Sequence, residues 1–177
     1  MNPRVAKLFS RLQNGHTELI SELDRIETQI LETSPGRGKW SVTKVMYHLN
    51  SAEGLSVIYV SKKRLGATQL KPTGAEAQLR LIIAWISFHL PFKYNAPQLL
   101  GDIPDHVNYS EVKQAWLKTR SDLAALLESL SDDELHKPIF RQPFFGRWNI
   151  FQMLWFMQIH FRRHRLQMMR TTRTIKN

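Results

Sequence analysis

Apolar positions recur at three- and four-residue steps over four long stretches of the chain. That spacing predicts helices with one face against a core. The first runs from Pro3 to Thr33, with Leu8, Leu12, His16, Leu19, Leu23, Ile26 and Ile30 on its stripe and Glu18, Glu22, Asp24, Arg25 and Glu27 on the other faces. Ser34-Pro35-Gly36-Arg37-Gly38 ends it, because Pro and Gly do not continue a helix. The second opens at Trp40-Ser41 with Ser41 as N-cap, and runs to about Arg64 with Gly66 as its stop. Its apolar face carries Val42, Val45, Leu49, Ala52 and Ser56. The third is capped by Asn108 or Ser110 and buries Val112, Trp116, Leu123, Leu126, Leu127 and Leu130. Asn149 caps the last, whose stripe is Ile150, Leu154, Met157, Phe161 and Met168.

The second and third helices are joined by an irregular region, residues 67–108. A short, heavily buried helix from Glu76 to Leu90 is expected within it, followed by a loop over 91–108 that holds Pro97, Gly101 and Pro104. Connections this long between packed helices often cover a site. Ser131-Asp132-Asp133-Glu134-Leu135 predicts one further short turn, and 136–148 an aromatic loop. No segment alternates β-branched residues strongly enough to predict a sheet. The expected fold is therefore all-α: a four-helix bundle with a long crossover between helices 2 and 3 and an extra short helix. One domain is expected over residues 1–177, with a basic tail that frays from about residue 170.

Composition adds exclusions. The chain has 177 residues, 42% hydrophobic and 23% charged, enough to bury a core. Cysteine is absent, which excludes a disulfide scaffold, a Cys-based zinc site and a Cys nucleophile, and fits a cytoplasmic protein. There is no run of about 18 apolar residues and no apolar segment after Met1–Lys7, so neither a membrane span nor a secretory signal is expected. The net charge of +10 is localised. All 15 acidic residues lie at or before Glu134, and the nine Lys/Arg from Leu135 onward meet no acid. A basic end attracts an anionic substrate, lipid or nucleic acid, but a solvated helix face and tail look the same. No DNA-binding motif accompanies it, which argues against a nucleic-acid binder.

The candidate chemistry lies in the last helix. His160 and His164 are four residues apart, so their rings lie one above the other beside the apolar stripe. They are either two ligands of a metal with a third elsewhere, or two core histidines. Ile159 and Phe161 flank His160, so the Glu of the zinc-protease pattern is missing. His48, mid-helix and near an apolar face, is the best third ligand. Three neutral imidazoles suit a divalent transition metal such as Zn, Ni, Cu or Fe, and three protein ligands leave a coordination position open. His16 reads as a packed core histidine. Tyr47 or Glu53 could act as acid or base. Glu53, however, falls about 140° around the helix from His48, and a packed Tyr and a solvated or N-terminal-paired Glu are the plainer readings.

Three stretches carry a resemblance. Gly38-Lys39-Trp40-Ser41-Val42-Thr43-Lys44-Val45-Met46-Tyr47-His48-Leu49-Asn50-Ser51-Ala52-Glu53 is similar to the Trp-Ser and His-Leu signature of the DinB/YfiT-like superfamily. Pro143-Phe144-Phe145-Gly146-Arg147-Trp148-Asn149-Ile150 resembles the turn of that family, and His160 to Gln167 its His-x-x-x-His helix end. Trp116 to Leu135 resembles its third helix and exit. The resemblance implies a four-helix bundle holding one divalent metal (Zn, Ni or Fe) through His48, His160 and His164, a homodimer, and a metal-dependent hydrolase or a low-molecular-weight-thiol transferase. The expected partner is a small molecule, anionic or a thiol. The insert from Leu70 to Asn108 matches no substrate loop of that family, so the substrate does not carry over. Arg163 and Gln167 adjoin the ligands in sequence. The competing expectation is a non-catalytic metal-binding or protein-interaction module in stress response.

Overall fold

The computed structural model describes residues 1–90 and 103–176. It is predominantly helical, with a single two-stranded sheet among the described residues. Four long helices dominate: α1 (Pro3–Leu23), α3 (Val42–Lys63), α5 (Tyr109–Ser129) and α7 (Ile150–Lys176). Between them lie the shorter α2 (Thr28–Glu32), α4 (Ala75–His89) and α6 (Asp132–His136). α3 packs on α5 and α7, and α1 packs on α7 and α5, so the long helices enclose one core while α4 lies on α7. Leu12, Leu19, Leu23, Val45, Leu49, Trp116, Leu123, Leu127, Ile150, Leu154 and Met168 are buried in it, much as their periodicity predicts. Burying each such side chain is worth about 1.5–3 kcal/mol before entropy is counted.

The caps follow the sequence. Asn2 Oδ1 accepts from the Arg4 and Val5 N–H groups, Ser41 Oγ from Lys44 N–H, and Asn108 Oδ1 from Glu111 N–H. Ser131 and Glu134 form a reciprocal capping box on α6. Asn149 and Gln152 do the same for α7: Gln152 N–H donates to Asn149 Oδ1 at 2.9 Å, and Asn149 N–H to Gln152 Oε1 at 3.1 Å.

The structure corrects several expectations. The first helix stops at Leu23 rather than Thr33. Its last turn tightens through Arg25 N–H to Glu22 O and Ile26 N–H to Leu23 O, and α2 resumes after Glu27. Long-range ties hold this break: Asp24 accepts from the Tyr109 hydroxyl and Lys113 Nζ, and Glu32 from Tyr109 N–H. Ile26 and Ile30 keep a helical spacing across the break, so periodicity alone does not detect it. The second long helix ends at Lys63, close to the expected Arg64, and in the 3₁₀ turn that follows, Arg64–Gln69, Gly66 leaves helical geometry at φ −118° and ψ 20°. α7 continues to Lys176, with Thr171 and Thr172 buried.

Another correction is a β-hairpin in the expected aromatic loop. β1 (Phe140–Gln142) pairs antiparallel with β2 (Gly146–Trp148). Three-residue strands are too short to show alternation. The turn chemistry is visible instead: Gly146 adopts φ +83°, and Gln142 Oε1 accepts from the Phe144 and Phe145 N–H groups. The hairpin places Trp148 in the core, stacked near Phe145 and Phe140, with its Nε1–H donating to Ala77 O of α4. The expected helix over 76–90 is α4, but it is not heavily buried: Ala77, Leu81 and Ala84 face the core, while Leu79, Ile82, Ile83, Trp85 and Ile86 are exposed. Most of the loop expected over 91–108 lies outside the described residues.

Candidate metal centre

His48 comes from the second turn of α3, and His160 and His164 from successive turns of α7. The α3–α7 contact brings the three imidazoles together. His48 Nε2 lies 3.2 Å from His160 Nε2, and His164 Nε2 lies 3.1 Å from His160 Nε2. One ligand nitrogen from each residue falls within 4.8 Å of the other two. Two nitrogens bound to one tetrahedral zinc ion at about 2.0–2.1 Å would be about 3.3 Å apart, so two of the three separations match an ion's coordination edges.

The protonation pattern supports the same fit. Gln167 Oε1 accepts from His164 Nδ1–H at 2.8 Å, which leaves the His164 Nε2 lone pair pointing at His160. Burial pushes His48 down to about 4. His164 falls to about 3, through burial and then the nearby His48. His160 lies well below the usual range through burial, with His164, His48 and Arg163 adding to it. All three rings are therefore neutral near pH 7, the state in which imidazole binds a metal. Neutral rings hold one proton each, so facing nitrogens at this distance leave lone pairs that a cation would satisfy. The residues fit a divalent metal.

Aromatic side chains fix the ring planes. Phe156 stacks on His160 at 5.7 Å between centroids and 10° between planes, and Phe88 of α4 meets it edge-on at 5.8 Å. Trp40 packs against His48 at 5.4 Å. His48 Nδ1 is buried with no hydrogen-bond partner, so packing rather than a hydrogen bond orients that ring. Arg163 does not point at the imidazoles. It donates to Phe88 O at 2.8 Å and Leu90 O at 3.1 Å, and holds the end of α4 over the site.

Gln167 gives a direct test. Removing an outer partner of a ligating histidine costs about 10–100-fold in metal affinity. Gln167→Ala is expected to weaken zinc binding by that range, measured by competition with a chromophoric chelator. Unchanged affinity would sever Gln167 from the site.

Glu53 does not join the three histidines. It is buried between α3 and α5, where its carboxylate lies 2.8 Å from Arg120 Nε and accepts from Arg120 Nη2–H and Trp116 Nε1–H, each at 2.9 Å. Burial pushes the carboxyl up, while Arg120 and the Trp116 N–H pull it back. Glu53 is neither solvated nor paired at a helix N-terminus, as its plainer reading would have it, but buried against Arg120 of the neighbouring helix. Arg120 escaped the sequence reading, yet a signal was present. It falls on the buried stripe of α5 at Val112, Trp116, Arg120, Leu123 and Leu127, where a cation requires a buried acid. Tyr47 makes no side-chain hydrogen bond among the described residues, and Phe88 and Phe156 were not singled out as site residues from the sequence.

His16 is a core histidine, as its position on the stripe suggests. It is fully buried with its ring 4.5 Å from Trp116, and neither ring nitrogen has a partner. Burial, and then the charge of Arg120, push it down to about 4. The unfolded chain takes up a proton at His16 near pH 6.5, and the folded chain does so only near 4. Its effect on stability is therefore constant above about pH 6.5 and becomes unfavourable as pH falls from there to about 4. Urea midpoints at pH 7.5, 5.5 and 4.5 are expected to fall in that order, and His16→Leu is expected to flatten the trend. An equal slope in the variant would assign the loss to other groups.

A family model described as the DinB superfamily matches residues 11–168. Comparison with curated proteins and with solved structures finds no match. The matched span takes in α3, α5 and all three clustered histidines. By that match, which covers most of its length, the chain belongs to the DinB superfamily.

Proposed function

We propose that this chain is a four-helix bundle holding one divalent transition metal on His48, His160 and His164, and that it acts as a metal-dependent enzyme on a small molecule. The observation that carries this reading is the convergence of three Nε2 atoms, two of the separations being 3.1 and 3.2 Å, in a partly buried and neutral setting. The ring of contacts among the four long helices supports the bundle. When bound, the metal would supply Lewis acidity and lower the pKa of a nucleophile. The protein's own groups do the rest. Gln167 holds the His164 tautomer, Phe156 and Trp40 hold the ring planes, and Arg163 and Phe88 close one side against water.

With Glu53 engaged by Arg120, no acidic side chain joins the histidine cluster among the described residues. Such a site favours a nucleophile that the metal can ionise without a protein base. A thiol near pKa 8–9 needs a far smaller shift than water at 15.7. Thiol transfer therefore ranks above hydrolysis for this site. A homodimer is part of the proposal. Leu79, Ile82, Ile83, Trp85 and Ile86 of α4 are exposed, and the only two Lys, Arg, Asp or Glu side chains on that helix, Glu76 and Arg80, pair with each other. An apolar face without net charge suits a second copy of a chain whose net charge is +10.

The test is metal content of untagged protein after exposure to Zn, Ni or Fe(II), followed by assays with small thiols and electrophiles. One equivalent in the wild type, lost in His48→Ala and His164→Ala, is expected. A metal-free wild type under all loading conditions would remove the enzymatic reading and leave an interaction module.

A further inference from the structure

Outside the histidine cluster, an open basin of about 480 Å³ lies between the end of α2 and the start of α3. It is lined by Ser34, Gly36, Arg37, Gly38, Lys39, Trp40 and Lys44. Three of these seven are cations and none is an acid. None of the three cationic side chains has an ion-pair or hydrogen-bond partner among the described residues.

Gly38 adopts φ +72° and Gly36 φ +151°, and the Gly36 N–H donates to Ser34 Oγ at 3.3 Å. The Gly36 carbonyl accepts from Lys39 N–H at 3.0 Å, and the Ser34 hydroxyl, 2.7 Å from both Gly36 O and Lys39 O, donates its one proton to either. A Cβ at Gly38 would meet nothing within 4 Å, so the glycine answers to conformation and not to packing.

Trp40 links the basin to the metal centre. The same indole lines the basin and packs on His48 at 5.4 Å between centroids. A group bound against Arg37, Lys39 and Lys44 lies one aromatic ring away from a ligating imidazole.

We propose that the Ser34–Lys44 basin is the subsite for the anionic group, a phosphate or carboxylate, of the small molecule whose reacting end meets the metal. The link to a reaction rests on the metal-enzyme reading above, whereas the anion site itself does not. Charge-assisted hydrogen bonds hold the anion, the Lys39 and Lys44 ammoniums as point charges and the Arg37 guanidinium as a fork. Trp40 forms the wall shared with the metal.

The test uses the whole chain in metal-free form, so that direct coordination of the probe plays no part. Inorganic phosphate and, separately, acetate are titrated at constant ionic strength against a chloride control, with ¹H–¹⁵N spectra as the readout. Saturable shifts at the Gly36, Gly38 and Lys39 amides and the Trp40 indole are expected with phosphate, acetate or both. The anion that binds more tightly names the substrate's group. Lys39→Gln and Arg37→Gln are expected to weaken binding about tenfold each, with metal content unchanged. Shifts that fail to saturate, that chloride reproduces, or that survive both substitutions overturn the proposal. A wild type that binds no metal but still binds phosphate here would defeat the enzymatic reading and leave the anion site standing.

Discussion

Tightly bound transition metal is expected to disappear from the His160→Ala protein while its helix content is retained. His160 is the centre of the cluster, since both short nitrogen–nitrogen separations end on its Nε2. Loss of an outer hydrogen-bond partner already costs about 10–100-fold in metal affinity. Loss of the central ligand should therefore exceed about 100-fold and bring occupancy near zero at micromolar metal. The imidazole also packs between Phe156 and Phe88, so alanine leaves a cavity. His160→Phe restores the volume and the stacking without a ligand atom, and separates packing from coordination. Metal analysis beside circular dichroism decides the matter. Loss of metal in both variants, with wild-type ellipticity, is the expected outcome. Retention of one equivalent in either would show that the other two histidines hold the ion without it. In metal-free protein the penalty is smaller, because the substitution also removes a desolvated ring facing two others.

The second large effect is on stability. Glu53→Ala is expected to cost about 3–5 kcal/mol, because it leaves a buried guanidinium and the Trp116 N–H without their acceptor. For a chain of this size that corresponds to a fall of roughly 6–20 °C in Tm. Both partners are almost fully excluded from solvent, at 2% and 4% exposure, so water cannot take the place of the carboxylate. The double variant Glu53→Leu with Arg120→Met replaces the pair by apolar groups of similar size and should recover most of the loss. A single-variant cost below about 1 kcal/mol would mean that the pair is screened as a surface pair is. Because Glu53 is not among the clustered histidines, the folded fraction of either variant should keep its metal.

The long helices and the histidine cluster were legible for the same reason. Leu12, Leu19, Leu49, Leu123, Leu127 and Leu154 mark buried faces by spacing alone, and His48, His160 and His164 lie beside those faces. What escaped depends on contacts between distant residues. The break after Leu23 is held by Tyr109 and Lys113, more than eighty positions away, and no local pattern carries it. The hairpin at 140–148 has strands too short for alternation, although Gly146 marks its turn. The place of Glu53 was half legible. Its angle around α3 separates it from His48, but its partner emerges only when Arg120 is seen to occupy a position on an apolar stripe. Phe88 reaches His160 because Arg163 draws the carbonyls at the end of α4 toward α7, a tie between residues 75 positions apart.

The placement of the ligands also bears on how the chain would come apart. His48 and His160 are 112 positions apart. An ion between them closes a loop longer than most disulfides do, in a protein that has no cysteine. For a loop of about 100 residues, the chain-entropy account assigns a cross-link about 4.7 kcal/mol. The metal would then be a removable staple between α3 and α7. Chelation would loosen the contact between those helices before any other, and the metal-free chain should be cut by proteases sooner than the loaded one. A cell short of metal would on this account lose the protein itself along with its chemistry.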